Sequence, residues 1–315
     1  MKNVAEISTT LQSVSDDLGH ALERVSTSIV AINARRHLSS SGVHWQKGVI
    51  VTAAHTIKRT EDISVVLPSG QRIAATLAGA DPSTDLAVLR AQSPELSVPN
   101  FADASQLKVG HLVIAAGRGA QRGFNAALGI VGVVGGAWRS LRGGLVDQFI
   151  ALNLELHPAA AGGALVDARG FVLGINTPAL SRNFPLALPA STVNRVVARL
   201  LEKGTMGRGY LGLGMRPVRI PEDLVKTLQL TADVGLMIAN IDAHGPGSKT
   251  GVVFGDVIVA LEGKPIGSIR ELQAFLEPES VGKPLSVSVI RGGKLIGLKL
   301  VVGEQTQRNE PPPSE

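Results

Sequence analysis

A mainly β protein, with a strand-rich domain first and a small α+β domain after it, is the fold class this sequence predicts. Three observations predict it. Between Ser28 and Leu188 the chain runs in short apolar stretches interrupted by Gly, Pro, Asn or Ser, the pattern of many short strands in a barrel or sandwich. The composition holds 36 Gly and 17 Pro but only 3% aromatics, so turns are plentiful and strands must be filled by Val, Leu, Ile and Ala. The length, 315 residues, is too great for one typical domain and at about 150 residues each suggests roughly two. Hydrophobic residues at 44% against 18% charged supply a core and argue against disorder.

Taken in order, the first element is a helix. Ile7, Leu11, Val14, Leu18, Leu22 and Val25 recur at three- and four-residue spacings and draw one apolar stripe over residues 6–25. That stripe packs either on its own domain or on a second copy of the chain. Strand candidates follow at Ile29-Val30-Ala31-Ile32, Gly48-Val49-Ile50-Val51, Ile63-Ser64-Val65-Val66-Leu67 and Leu86-Ala87-Val88-Leu89. A second helix spans Thr192 to Leu201, with Ser191 as its cap and Gly204 as its stop. After a linker near Met206 to Arg208 strands resume at Tyr210, Ile269 to Leu276 reads as a helix, and the last strand ends at Val302. The expected organisation is a helix over 1–25, domains over 26–203 and 204–303, and a disordered tail over 304–315, where Pro311-Pro312-Pro313 falls.

Composition excludes several chemistries. Without Cys there is no disulfide framework, zinc-thiolate site or Cys nucleophile. The seven His never pair at metal-ligand spacing, and Gly117-Arg118-Gly119 followed by Gly123 misses the dinucleotide-binding pattern, so no metal and no cofactor are expected. A scattered net charge of +5 without a basic stripe argues against nucleic acid as a partner. No stretch has the 18 or so uninterrupted apolar residues of a membrane span, and Met1 to Leu22 lacks the apolar core of a signal peptide. A cytoplasmic protein is expected on this ground, or a periplasmic one if an export segment has been trimmed away.

Three distant segments carry the chemistry. Val51-Thr52-Ala53-Ala54-His55 ends a β run in a His, Ser83-Thr84-Asp85-Leu86-Ala87-Val88-Leu89 sets an Asp at the mouth of a strand, and His157-Pro158-Ala159-Ala160-Ala161-Gly162-Gly163-Ala164-Leu165 precedes Gly174-Ile175-Asn176-Thr177. Alone, a His after a strand is most often a surface or core imidazole, and a Thr-Asp pair a turn. Their order raises the reading, because His, then Asp, then a Gly-Gly turn is one known chain order of the triad of base, orienter and nucleophile.

With Ser41-Gly42-Val43, Thr52 to His55, Asp81 to Val88 and Gly174 to Thr177, the chain resembles, over about residues 25 to 303, the HtrA (DegP-like) family of trypsin-fold serine proteases with a C-terminal PDZ domain. The resemblance implies a trypsin-like double β-barrel followed by a small α+β PDZ domain. It implies ATP-independent endoproteolysis of unfolded or misfolded polypeptides in protein quality control, with His55 as base and Asp85 as its orienter. One position departs from it. Where the family reads Asn-Pro-Gly-Asn-Ser-Gly-Gly, this chain puts Ala161 at the nucleophile, and a methyl group cannot attack a carbonyl. Either a serine has been replaced, leaving an inactive variant, or the chain is a natural pseudoprotease that binds polypeptides as a chaperone or adaptor. The persistence of His55, Asp85, Gly162 and Gly163 favours the first. Ala159 favours the second, because the family has Gly at this oxyanion-hole position, whose N–H joins that of residue 161, and Gly permits angles that cost Ala about 1–2 kcal/mol.

By the same resemblance Glu155, six before Ala161, falls at the base of the specificity pocket and would favour Arg or Lys substrates, unless strand alternation turns it to solvent. Arg208-Gly209-Tyr210-Leu211-Gly212-Leu213 resembles a PDZ carboxylate-binding loop, and Gly251 to Ile258 its Gly-x-x-x-Gly-Asp-x-Ile core. Tyr210, Leu211, Gly212 and Leu213 would bind a peptide C-terminus as an added strand, with Leu211, Leu213, Ile269, Leu272 and Leu276 lining the pocket for its last side chain. Those leucines would otherwise read as core. Family members often trimerise through aromatics near the N-terminus. The first aromatic here is Trp45, so a homo-oligomer would use the Ile7 to Val25 stripe instead.

Overall fold

In the computed structural model, which describes residues 2–35, 38–277 and 280–305, the leading apolar stripe forms α1 (Lys2–Ser26). Only part of that stripe is covered. Ala21 and Val25 are buried and Leu18 and Leu22 pack against the strands that follow, whereas Leu11 and Val14 are exposed and the side chain of Ile7 lies outside the described residues. Arg118 ties down the end of the helix, donating from Nη2 to Ser26 O at 2.8 Å and from Nε to Ile29 O at 2.7 Å. Burial pushes its guanidinium pKa down.

The chain divides into two units, Met1–Met206 and Gly207–Glu315. In the first, β1 (Ile29–Asn33), β2 (Ser40–Gln46), β3 (Val49–Ala53), β4 (Ile63–Val66), β5 (Arg72–Asp81) and β6 (Leu86–Arg90) close a barrel in the order β1-β2-β3-β6-β5-β4. A second barrel is built from β7 (Leu112–Gly119), β8 (Gly123–Gly135), β11 (Phe149–Asn153), β12 (Ala164–Asp167), β13 (Val172–Thr177) and β14 (Leu186–Pro189), in the order β11-β14-β13-β12-β7-β8. A hairpin of β9 (Trp138–Arg139) and β10 (Leu145–Val146) stands beside it. The fold is thus mainly β, with the double barrel that the resemblance implies.

Strand alternation explains why β3 is buried throughout. Ile50 points into the first barrel with Ile32, Leu67 and Leu89, while Val49 and Val51 point into a seam shared with Ile114, Ile175 and Leu188 of the second barrel. That seam fixes the end of β3, where His55 sits, against the second barrel. The closing helix, α2 (Ala190–Lys203), adds Val193, Val196, Val197 and Leu200 to the same core. Ser191 does not cap it. The N-cap is Pro189, which makes no side-chain cap bond, and the Thr192 hydroxyl accepts from Asp147 N at 2.9 Å. Gly204 ends the helix in the left-handed conformation, φ 73°, where Gly has no Cβ penalty.

The second unit holds β15 (Arg208–Tyr210), β16 (Leu213–Arg219), α3 (Glu222–Thr227), β17 (Val234–Ile241), β18 (Val257–Leu261), β19 (Lys264–Pro265), α4 (Ile269–Gln273), β20 (Pro284–Arg291), β21 (Lys294–Val301) and β22 (Gly303–Gln305). Its main sheet runs β16-β17-β18-β20-β21, so β16 is an edge strand, and Leu236, Ile238, Ile258, Val289 and Leu300 form its core. The helix expected over Ile269 to Leu276 stops at Gln273 and begins with a capping box between Ser268 and Glu271. The expected disordered tail is corrected at its start: Glu304 and Gln305 pair with Gly209 and Arg208, giving β15 a ladder. Residues 306–315, with Pro311 to Pro313, lie outside the described residues.

Candidate active site

The loop entering β6 delivers Asp85 in a left-handed turn, φ 58°, a region that the short polar side chain of Asp tolerates. Its carboxylate accepts from His55 N at 2.8 Å and from His55 Nδ1 at 2.8 Å to Oδ2 and 3.1 Å to Oδ1. The Thr177 hydroxyl also donates to Oδ2. Only 4% of the Asp85 side chain is exposed against 31% for His55. With the carboxylate on Nδ1, the proton belongs on that nitrogen, and Nε2 is left as the base. Asp81 braces the loop, accepting from Ser83 N at 3.0 Å, Ser83 Oγ at 2.5 Å and Thr84 Oγ1 at 2.6 Å. Thr177 stands in the Gly-Ile-Asn-Thr motif with no local sign of this role. The Asp81 brace was legible, because an Asp followed by Ser and Thr two and three residues on is a local turn pattern.

The other half of the site is the segment from His157 to Gly163. Pro158–Ala160 make one 3-10 turn capped by His157, and Ala161 follows it, 3% exposed, its side chain a methyl group. Gly162 turns at φ 80°; a Cβ there would run into Thr52 Oγ1 and lie 2.6 Å from Ala53 N, while one on Gly163 would run into Ala116 O. Gly162 N donates to Asn176 O at 2.9 Å, next to Thr177. The turn bearing residue 161 is thereby seated against the end of β3, two residues before His55. Ser41, whose backbone is locked by Thr52 Oγ1 at 2.6 Å, holds the turn at two points: its N donates to Ala161 O at 3.0 Å and its Oγ to Ala159 O at 2.5 Å. That residue was quoted above only as part of a motif.

The expected oxyanion donor at Ala159 is corrected. Ala159 keeps a negative φ inside the 3-10 turn, and its N–H donates to His157 Nδ1 at 3.1 Å. The physical reason lies in its Cβ: Ala does not reach cheaply the left-handed angles that Gly could use to turn that N–H outward. Glu155 lies exposed in the loop after β11 rather than in a strand.

In the second unit, Gly212 turns at φ 69° between β15 and β16. The carbonyls of Leu211 and Gly212 accept from Gly247 N at 2.7 Å and Asp242 N at 2.8 Å, while the N–H groups of Leu211 and Gly212 have no acceptor among the described residues. Of the five expected pocket residues, Leu211 and Leu272 are buried in the core, Leu213 and Leu276 are half-buried beside it, and Ile269 is exposed on α4. The core reading wins for Leu211 and Leu272. The Tyr210 hydroxyl donates to Asp242 Oδ2 at 2.7 Å, which holds that carboxyl below its usual range and raises the phenol. Among the described residues no cluster of three or more His, Asp or Glu is arranged to hold a metal ion.

Residues 40–175 match the family of trypsin-like peptidase domains and residues 209–302 that of PDZ domains. A relative from Bartonella henselae, a probable periplasmic serine endoprotease of DegP-like type, is 34% identical over 259 residues, covering 80% of this chain and 50% of that protein. This chain belongs to the HtrA/DegP family. The serine endoprotease from Yersinia pestis superposes with a TM-score of 0.74 at 25% identity, covering 92% of this chain and 98% of that one. The HtrA-type protease AlgW with a tripeptide gives 0.70 at 26%, covering 92% and 97%. The chain spans about half the length of the curated relatives it matches. These HtrA/DegP relatives are periplasmic by name, which overturns the cytoplasmic expectation. Compartment is set by a detachable address, which charge and hydropathy of the folded residues do not encode.

Proposed function

We propose that this chain binds unfolded polypeptides on a serine-endopeptidase scaffold and does not cleave them. One observation carries the reading: residue 161 is Ala, and the neighbouring Ala159 N–H is committed to His157 Nδ1. Hydrolysis needs a nucleophile and at least two donors at the developing oxyanion, and this turn offers no hydroxyl and one donor fewer. A single replacement at 161 would account for neither His157, Ala159 nor Ala160, all of which depart from the family pattern.

The N–H groups of Leu211 and Gly212, beside the open edge of β16, suit the carboxylate of an extended peptide C-terminus. A related structure holds a tripeptide. The second reading, an endopeptidase whose serine has been replaced, is favoured by the intact His55–Asp85 pair at 2.8 Å, which leaves Nε2 of His55 as the base that a restored hydroxyl would need.

Unfolded casein and a short apolar peptide test both readings. The chain as it stands is expected to bind casein without cutting it, and to bind the free-acid peptide more tightly than its C-terminal amide. Failure to bind casein overturns the proposal, and equal peptide affinities remove the role given to the Leu211–Gly212 loop. Ala161→Ser is expected to hydrolyse casein at least about 10²-fold more slowly than Ala161→Ser combined with His157→Asn and Ala159→Gly, which restores the second donor. Equal and measurable rates for the two would hand the case to the replaced-serine reading, whereas two inert variants would leave the site a relic and support binding alone.

A further inference from the structure

Between Gly251 and Gly255, at φ 77° and 86°, the second unit turns through Val252, Val253 and Phe254. Val252 is buried in the core, but Val253 is 45% exposed and Phe254 71%. The turn that presents them is cross-tied. Arg291 donates from Nη2 to Gly251 O at 2.7 Å and grips the Asp256 carboxylate from Nε and Nη2, each at 2.8 Å. Asp256 Oδ2 accepts from Val253 N at 3.0 Å, and Gly255 N donates to Ile238 O at 2.9 Å. Two large apolar side chains are therefore held out into water by a rigid frame.

The surrounding charge has one sign to spare. Lys249 lies two residues before the turn, and Lys294 is the cross-strand partner of Arg291 in the β20–β21 hairpin. Between residues 243 and 261 the single acid is Asp256, which Arg291 neutralises, and residues 288–297 contain none.

We propose that this turn is an anchor for an anionic lipid surface, with Val253 and Phe254 entering the boundary between headgroups and acyl chains and Lys249 and Lys294 meeting the lipid phosphates. Two side chains fall far short of the roughly 1,000 Å² that a specific protein interface buries. A bilayer needs no matching shape, only an apolar wedge with cations around it. The inference goes beyond the polypeptide-binding reading and does not depend on it.

Flotation of the full chain with vesicles of one part phosphatidylglycerol to two of phosphatidylcholine, and with pure phosphatidylcholine, tests it. The chain is expected to float with the anionic vesicles, less so with the neutral ones and less as salt rises. Val253→Ser/Phe254→Ser should weaken this by about ten-fold or more, and Lys249→Gln/Lys294→Gln by about five-fold per lysine. Phe254→Trp should shift its emission to the blue on the vesicles and be quenched by brominated lipid. No flotation above the lipid-free control, or equal flotation of the Ser/Ser variant with an unchanged melting curve, overturns the proposal. If the chain ignores vesicles but self-associates in the centrifuge through these two residues, the turn is a protein contact and the lipid reading falls.

Discussion

At the His55–Asp85 corner each side chain that catalysis would use is also used by the fold, whereas at residue 161 a hydroxyl would serve chemistry alone. Asp85 is the common acceptor for His55 N, His55 Nδ1 and the Thr177 hydroxyl, and its own carbonyl accepts from Ala54 N at 2.9 Å. Its removal strands buried donors. Gly162 and Gly163 are likewise demanded by packing, because a Cβ on either meets atoms of β2, β3 or β7. Ala161 fills its buried place with a methyl group, and the bonds that seat the turn run through backbone atoms and Ser41. The comparison teaches that a site can lose its nucleophile and keep its base, its orienter and its glycines for reasons of stability. Their persistence is then weak support for a recently replaced serine.

The comparison breaks most easily at Asp85. Both tryptophans, Trp45 and Trp138, lie in the first unit, so denaturation followed by their fluorescence reports that unit. Asp85→Ala is expected to cost about 3–5 kcal/mol, because His55 N, His55 Nδ1 and the Thr177 hydroxyl all lose their acceptor. A loss under about 1 kcal/mol would mean that the fold does not need the carboxylate. Gly163→Ala comes next, at about 2–3 kcal/mol, since the new methyl group meets backbone that moves only at the expense of the β7–β12 ladder.

Thr177→Val should cost about 1.5–2 kcal/mol, the worth of one hydrogen bond to a charged group. Ala161→Ser, on the other half, should leave stability within about 1 kcal/mol by the same denaturation. Similar costs for the two would erase the contrast. The smallest effect is expected at an exposed counterpart in the second unit. The Tyr210 hydroxyl and the His244 N–H hold the Asp242 pKa below its unfolded value of 3.8. Stability from this pair is therefore present above about pH 4 and is lost as pH falls through the depressed folded value. In Tyr210→Phe an NMR titration of the Asp242 carboxyl should move upward toward the ordinary value; an unmoved midpoint would remove the hydroxyl as the main cause.

Much of the architecture was legible because alternation and turn residues act locally. The runs at Ile29, Val49, Ile63 and Leu86 appear as strands, and Gly204 stops its helix where a left-handed residue is needed. The expectation failed where a local signal had a rival: Ser191 is a good cap by type, but Pro189 begins the helix and Thr192 supplies the hydroxyl that receives Asp147 N. For Glu155 the alternation argument fails for a related reason, since β11 ends at Asn153 and Glu155 lies exposed in the loop that follows.

By itself the sequence determined the absence of a nucleophile at 161, the order of His55 and Asp85, and the strand-rich fold, because identity and periodicity are written residue by residue. Only the tertiary structure decided that Thr177 completes the shell of Asp85, that Ser41 grips the Ala159 and Ala161 carbonyls, and that the Ala159 N–H faces His157. The Cβ of Ala159 keeps its N–H on His157, but Thr177 reaches Asp85 across 92 residues of chain and Ser41 reaches Ala159 O across 118, and only the closed barrels bring such groups together.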